Sequence, residues 1–213
     1  MYRCTRNHPR PPGVLMPNIT VVYYSSTGNV HRLATEIAAG ATDAGAEVRL
    51  RRAAELAPDE VVQSQDAWRA HAEATKDVPV ATPDDLAWAD GYALGSPTRF
   101  GNPAAQLKQF IDTLGPLWQT GGLANKVATS FTSAMNAHGG QESTLLALNN
   151  VFYHWGALIV PPGYTDPLLY ASGGNPYGTN FVAGQGNPMS DETLAAARYQ
   201  GRRLAEFAAK LTT

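Results

Sequence analysis

Three short stretches carry residues whose types and spacing can hold a ligand. Ser25-Ser26-Thr27-Gly28-Asn29-Val30 sets three hydroxyls, a glycine and an asparagine between a β-branched run and an amphipathic repeat. Backbone N–H groups at such a junction point outward with the positive end of the helix dipole, and the hydroxyls add neutral donors. A phosphate monoester fits that chemistry. The stretch lacks the lysine of a Walker A loop and the spacing of a dinucleotide fingerprint. Taken alone, it is equally well an ordinary capped helix start. The second stretch, Gly95-Ser96-Pro97-Thr98-Arg99-Phe100-Gly101-Asn102, and the third, Thr132-Ser133-Ala134-Met135-Asn136-Ala137-His138-Gly139-Gly140, are both long and glycine-bearing.

The elements that must position these stretches are legible from periodicity. Ile19–Tyr24 is a short β-branched and aromatic run, too brief for a helix. Val30, Leu33, Ile37, Ala41 and Ala44 then recur at spacings of three and four, which predicts a helix stopped by Gly45. Val48–Arg52, Gly91–Ser96, Val127–Ser133 and Ala157–Val160 read as four more strands. Further helices are expected from Pro103, as a first helical residue, over Gln141–Tyr153, and from Ser190 as an N-cap. The last carries the stripe Leu194, Ala197, Gly201, Leu204, Ala208 and Leu211.

Five strands alternating with helices predict a doubly wound α/β domain, with a five-stranded parallel sheet and helices on both faces. Residues 54–88 and 161–189 break the rhythm and read as two insertions. Asp84 and Asp85, within the first, are expected in a solvated turn or short helix. In open α/β sheets ligands bind beyond the carboxyl ends of the strands, where all three stretches fall. One loop for a phosphate and two for a flat heteroaromatic body meet the needs of a mononucleotide flavin, FMN.

Composition removes other classes. The chain has 213 residues, enough for one large domain. Sixteen basic residues against eighteen acidic ones give a net charge of −2, so no basic face for nucleic acid is expected. Cys4 is the single cysteine; it excludes an internal disulfide and fits a reducing, cytoplasmic compartment. His8, His31, His71, His138 and His154 show no metal-ligand spacing, so no metal site is expected. No apolar run approaches the ~18 residues of a membrane span. The first strand is followed by neither the acidic pair of a receiver domain nor a cysteine nucleophile, and G-x-S-x-G is absent. Residues 1–17 hold three Arg and four Pro without the apolar stretch of a secretory signal. They are expected to be a disordered or non-native extension, leaving 18–213 as the folded domain.

With these stretches in view, the chain resembles the WrbA-type, flavodoxin-like NAD(P)H:quinone oxidoreductases over roughly residues 18–211. The resemblance rests on VVYYSSTGNV, the SPTRFGN segment, LGPLWQTGG, GGQE, HWGALIVPPGY, GGNPYGTNFVAG and ARYQG. It implies that FMN phosphate is held by Ser25, Ser26, Thr27, Gly28, Asn29 and Val30. The ring side falls on Pro97, Thr98, Arg99, Phe100, Gly101 and Asn102. A third flavin segment falls on Ser133, Ala134, Met135, Asn136, Ala137 and His138, where the family is richer in Ser, Thr and Gly. A flavin-contacting histidine supplied by a neighbouring subunit matches His154, and an aromatic lid over the substrate pocket matches Trp118. The family's assembly is a homotetramer, a dimer of dimers.

The activity this implies is hydride uptake from NAD(P)H followed by two-electron reduction of a quinone, in ping-pong fashion through one pocket. The cofactor carries the chemistry, so no protein acid or base is assigned. Arg99 is the candidate for tuning the flavin, since a fixed cation near the ring stabilises its reduced, anionic form. Its plain reading is a surface arginine paired with a carboxylate, and Phe100 is as readily a packing residue. The competing function is a flavodoxin-like one-electron carrier, against which the flavin loops offer Arg99 and no acidic run.

Overall fold

The computed structural model describes residues 16–211 apart from 185 and 187. Most of the expected N-terminal extension, with Cys4, lies outside the described residues. In chain order the elements are β1 (Asn18–Tyr23), α1 (Asn29–Asp43), β2 (Glu47–Arg52), α2 (Asp59–Gln63), α3 (Asp66–Ala74) and α4 (Pro83–Trp88). There follow β3 (Gly91–Arg99), β4 (Asn102–Pro103), α5 (Ala105–Asp112), α6 (Gly115–Gln119), β5 (Val127–Ala134) and α7 (Gln141–Trp155). The chain ends with β6 (Leu158–Ile159), α8 (Leu168–Ala171), β7 (Asn180–Val182) and α9 (Asp191–Leu211).

The expected parallel sheet is present in the order β2-β1-β3-β5-β6. Two strands lie off that path, so the sheet has seven strands rather than five: β4 pairs antiparallel with β3, and β7 pairs parallel with β5. The chain leaves β1 in one direction to β2 and in the other to β3. That reversal opens a crevice at the carboxyl ends of β1 and β3. The register sets Tyr23 beside Gly95 and Gly95 beside Phe131. Gly95 is small by necessity there, because a Cβ would lie 2.1 Å from the Phe131 ring.

Each face of the sheet has its own core. Ile19, Val21 and Tyr23 alternate towards α1 and α9, meeting Leu33, Ile37, Leu204 and Ala208. Val22, Tyr92 and Leu94 face the opposite layer, meeting Leu107, Phe110, Leu148 and Phe152. Period-two strands and period-3.6 helices thus bury the stripes the sequence carries, except that Leu211, at the end of α9, stays 53% exposed. Helices α1 and α9 approach to backbone contact: a Cβ on Gly40 would sit 1.8 Å from the Arg198 carbonyl oxygen, and one on Gly201 only 1.9 Å from that of Ile37. Arg198 adds ion pairs to Glu36 and Asp43 across the same seam.

Several local expectations change. Pro103 belongs to β4, and α5 begins two residues later with Ala104 as its N-cap. The strand expected to end at Ser96 continues to Arg99, because Thr98 and Arg99 pair with Pro103 and Asn102 in a hairpin. Residues 54–88, low in periodicity, fold into three short helices. Asp85 is not solvated. It is 4% exposed, and its carboxylate accepts from Thr82 N–H, in a capping box, and from Arg51 Nε at 2.9 Å, with Arg49 at 3.3 Å. Burial would raise its pKa; the Thr82 N–H and the Arg51 guanidinium together outweigh burial and hold it below the usual carboxylate range.

Two outcomes follow from these contacts. Gly201→Ala must push α9 off α1, and is expected to cost about 1–3 kcal/mol, lowering Tm by about 2–12 °C in a thermal melt. Asp85→Asn removes the charge from two arginines and is expected to cost about 1–3 kcal/mol at pH 7. Because the folded pKa is depressed, Asp85's contribution is present above its unfolded pKa and is lost as pH falls through the folded one. The gap between Asp85→Asn and wild type in urea melts should therefore close in acid.

Candidate functional site

The three stretches meet. A cleft of about 560 Å³ at the carboxyl edge is lined by Ser26, Thr27 and Asn29, by Pro97, Thr98, Arg99 and Phe100, and by Ser133, Ala134, Met135 and Asn136. Gly139, from the end of the third stretch, also lines it, and one further wall, Ala183, was not singled out from sequence. Ala183 follows β7 and donates its N–H to Ala134 O at 2.7 Å, so the second insertion braces the third loop. Its signal was the GGNPYGTNFVAG stretch, within which nothing distinguishes that alanine.

The first loop is built to leave donors free. Gly28 is the N-cap of α1 with φ 97°, a left-handed conformation glycine adopts without strain, and no side chain caps the helix. Its own N–H donates to Ser25 Oγ at 3.0 Å, which closes the loop on itself. Ser26, Thr27 and Asn29 are left facing the cleft, while Val30 is buried in the core at 1% exposure. Uncapped first-turn amides beside two hydroxyls and an amide are a fitting donor set for a phosphate monoester.

The second loop is a tight hairpin. Phe100 and Gly101 form its tip with φ of 53° and 79°, the pairing of a two-residue turn whose twist suits antiparallel strands. A phenylalanine at positive φ is strained. Phe100 is also fully exposed, which overturns the reading of it as a packing residue. Strain and exposure together in one large aromatic mark a ligand-facing position. Thr98 Oγ1 accepts from Gly101 N–H at 3.2 Å and bonds Thr144 Oγ1 at 2.8 Å, tying the hairpin to α7. Gly140 seals the junction with the third loop, since a Cβ there would come 2.8 Å from Gly101 Cα. Gly140, just beyond the Ala134–His138 segment, thus permits this approach, while Gly139 lets the third loop close on itself, a Cβ there lying 2.8 Å from Asn136 O.

Arg99 lines the cleft, and its NH1 donates to Thr98 O. Among the described residues it has no carboxylate in an ion pair. Beside it, Tyr24 is held protonated: burial and a hydrogen bond to Glu55 push its pKa far up, against a smaller opposing pull from Arg99. Asn102, Ala137 and His138 are exposed but do not line the cleft.

Trp118 and His154 lie elsewhere. Trp118 sits in α6, 51% exposed, and its Nε1 donates to His154 O at 3.0 Å. His154 is in the last turn of α7, whose first residue, Gln141, adjoins the cleft. At 1.5 Å per residue, α7 carries it about 20 Å away, to the opposite edge of the sheet. Within one chain, therefore, neither Trp118 nor His154 lines the cleft.

Residues 17–165 match the NADPH-dependent FMN reductase family. The chain is 51% identical over 193 residues to an NAD(P)H dehydrogenase (quinone) of Deinococcus radiodurans, covering 91% of this chain and 96% of the relative. It is 43% identical to a protein of the same name from Geobacter sulfurreducens, covering 91% and 98%. Among solved structures, a WrbA-like flavodoxin from Agrobacterium tumefaciens superposes with a TM-score of 0.63 at 25% identity, over 91% of this chain and 98% of that one. The chain belongs to the NADPH-dependent FMN reductase family.

Proposed function

We propose that this chain is an FMN-dependent NAD(P)H:quinone oxidoreductase. The observation that carries the reading is the single cleft that all three loops line, in a chain half identical to a quinone-reducing relative. Bound there, FMN would take hydride from NAD(P)H and pass both electrons to a quinone. The α1 N-terminus with Ser26, Thr27 and Asn29 holds the phosphate; the Thr98–Phe100 hairpin and Ser133–Asn136 bound the ring. Arg99, in no ion pair among the described residues, would supply positive charge beside the ring. One cleft serving nucleotide and quinone in turn gives ping-pong kinetics.

Trp118 and His154, far from their own cleft, complete the cleft of a second copy in a homotetramer. The exposure of Trp118 and of Tyr153, at 70%, on one end of the molecule supports that part of the reading. A cytoplasmic location is supported by a chain with one cysteine and so no internal disulfide. No helix among the described residues is long and apolar enough to cross a membrane.

Anaerobic titration of the FMN-loaded protein with NADPH and with NADH, followed by benzoquinone, tests the activity. Nucleotide should bleach the flavin absorbance and quinone restore it; no bleaching by either nucleotide would favour a one-electron carrier. Arg99→Ala is expected to lower kcat/KM for quinone about 10- to 100-fold and to make the flavin potential more negative. Co-assembled Ser26→Asp and His154→Ala chains should recover more activity than the two parents summed, measured after co-expression; no gain would remove the shared site.

A further inference from the structure

The first insertion reaches the outer side of the phosphate loop, where the family reading assigns nothing. His71, on α3, packs against Gly28: a Cβ on that glycine would lie 3.4 Å from His71 Nδ1. Its ring is 5.5 Å from that of His31, which stands in the first turn of α1. His31 Nδ1 is 2.7 Å from Tyr23 Oη. Burial, against a weaker pull from Arg52, raises the Tyr23 pKa to about 12, so this phenol stays protonated beside His31. A proton on His31 Nδ1 would reverse that bond and leave the phenol proton of a tyrosine only 1% exposed to find another acceptor. Burial also lowers the His31 pKa, while His71 is the imidazole packed on the loop glycine itself.

The groups facing His71 disfavour that proton in the free loop. The small cavity it lines, about 170 Å³, also presents Arg52 from β2, Lys76 beyond α3, and Glu55. The Glu55 carboxylate is already saturated, accepting from Tyr24, Trp68 and Gln106 and from the N–H groups of Leu56 and Ala57. Lys76 pairs with Glu73, and Arg52 Nε donates to Val78 O. On the far side of His31 stand Arg32 and Glu36, the latter paired with Arg198. Among the described residues lining these two cavities no carboxylate is left to pair with His71, and the positive end of α1 adds to the repulsion. Burial, then His31, lowers the His71 pKa to about 4.

We propose that His71 is a positioning residue for the cofactor phosphate, neutral before binding and imidazolium once a phosphate dianion occupies the Ser25–Val30 loop. The dianion is the one negative charge that arrives at this loop without a cation of its own. It reverses the balance set by Arg52, Lys76 and the helix end, and cofactor binding takes up a proton. The inference rests on the proposed FMN site and deepens it. Trp68, bonded to Glu55, anchors the helix that brings His71 into place.

The test is FMN binding to the full-length apoprotein between pH 6.5 and 8.5, read by quenching of flavin fluorescence. This range lies above the second pKa of a phosphate monoester, about 6. A group whose pKa rises on binding tightens the complex as pH falls. Wild-type Kd should fall about three- to tenfold from pH 8.5 to 6.5, His71→Gln should flatten that dependence, and riboflavin should show none in either protein. Calorimetry in buffers of different ionisation enthalpy should find close to one proton taken up at the acid end in wild type and none in His71→Gln. The His71 C2–H resonance of the wild type, titrated with and without FMN, gives the same answer without a variant. FMN binding with equal pH dependence in both proteins, or an unchanged His71 titration, overturns this inference alone. Failure of FMN to bind at any pH overturns the proposed function with it.

Discussion

The reversal of strand order between β1 and β3 is the constraint on which the site depends. Parallel strands deliver every exit loop to one edge, but neighbouring helices would normally cover that edge. Only where the chain turns to opposite sides do two consecutive exit loops part without a helix between them. The loop after β1 and the hairpin after β3 flank that gap, and the loop after β5 closes its third side. The cleft is therefore a product of topology first, and of side chains second.

What the side chains add is fixation. Four of the contacts that hold the loops use glycine or hydroxyl groups rather than apolar packing: Gly28 N–H to Ser25, Gly101 N–H to Thr98, Thr98 to Thr144, and the approach of Gly140 to Gly101. Loops fixed in this way keep their surfaces polar and open to a ligand while their backbones are held. The segments 54–88 and 161–189 work from outside: the chain after β7 bonds the third loop through Ala183, and α3 backs the first through His71. Segments that interrupt the α/β rhythm thus become the outer supports of the site.

The fold was legible where periodicity was strong. The five parallel strands, α1, α7 and α9 lie within a few residues of their expected bounds, and Ser190 accepts from Thr193 N–H as the N-cap expected. The hairpin at Phe100 was read as a loop because its pairing rests on two residue pairs, too short for any alternation to register. Asp85 was read as solvated because its partners, Arg49 and Arg51, lie on β2, far off in sequence. The site was legible as three loops, since Ser, Thr, Gly and Asn at strand exits have a direct chemical meaning. Their outer supports were not: an alanine after β7 and a histidine in an aperiodic insertion carry no local signal, and only tertiary contact gives them one.

The contact between Gly101 and Gly140 has a consequence for how the cleft can move. Two backbones that touch with no side chain between them leave no space to be taken up by a change of rotamer. The hairpin and the third loop cannot slide past each other in small steps; they travel together or separate altogether. The ring-binding half of the cleft is then a single jaw rather than two independent flaps. The first loop, hung on β1 and α1, is the other jaw, and any opening of the cleft has its hinge between them.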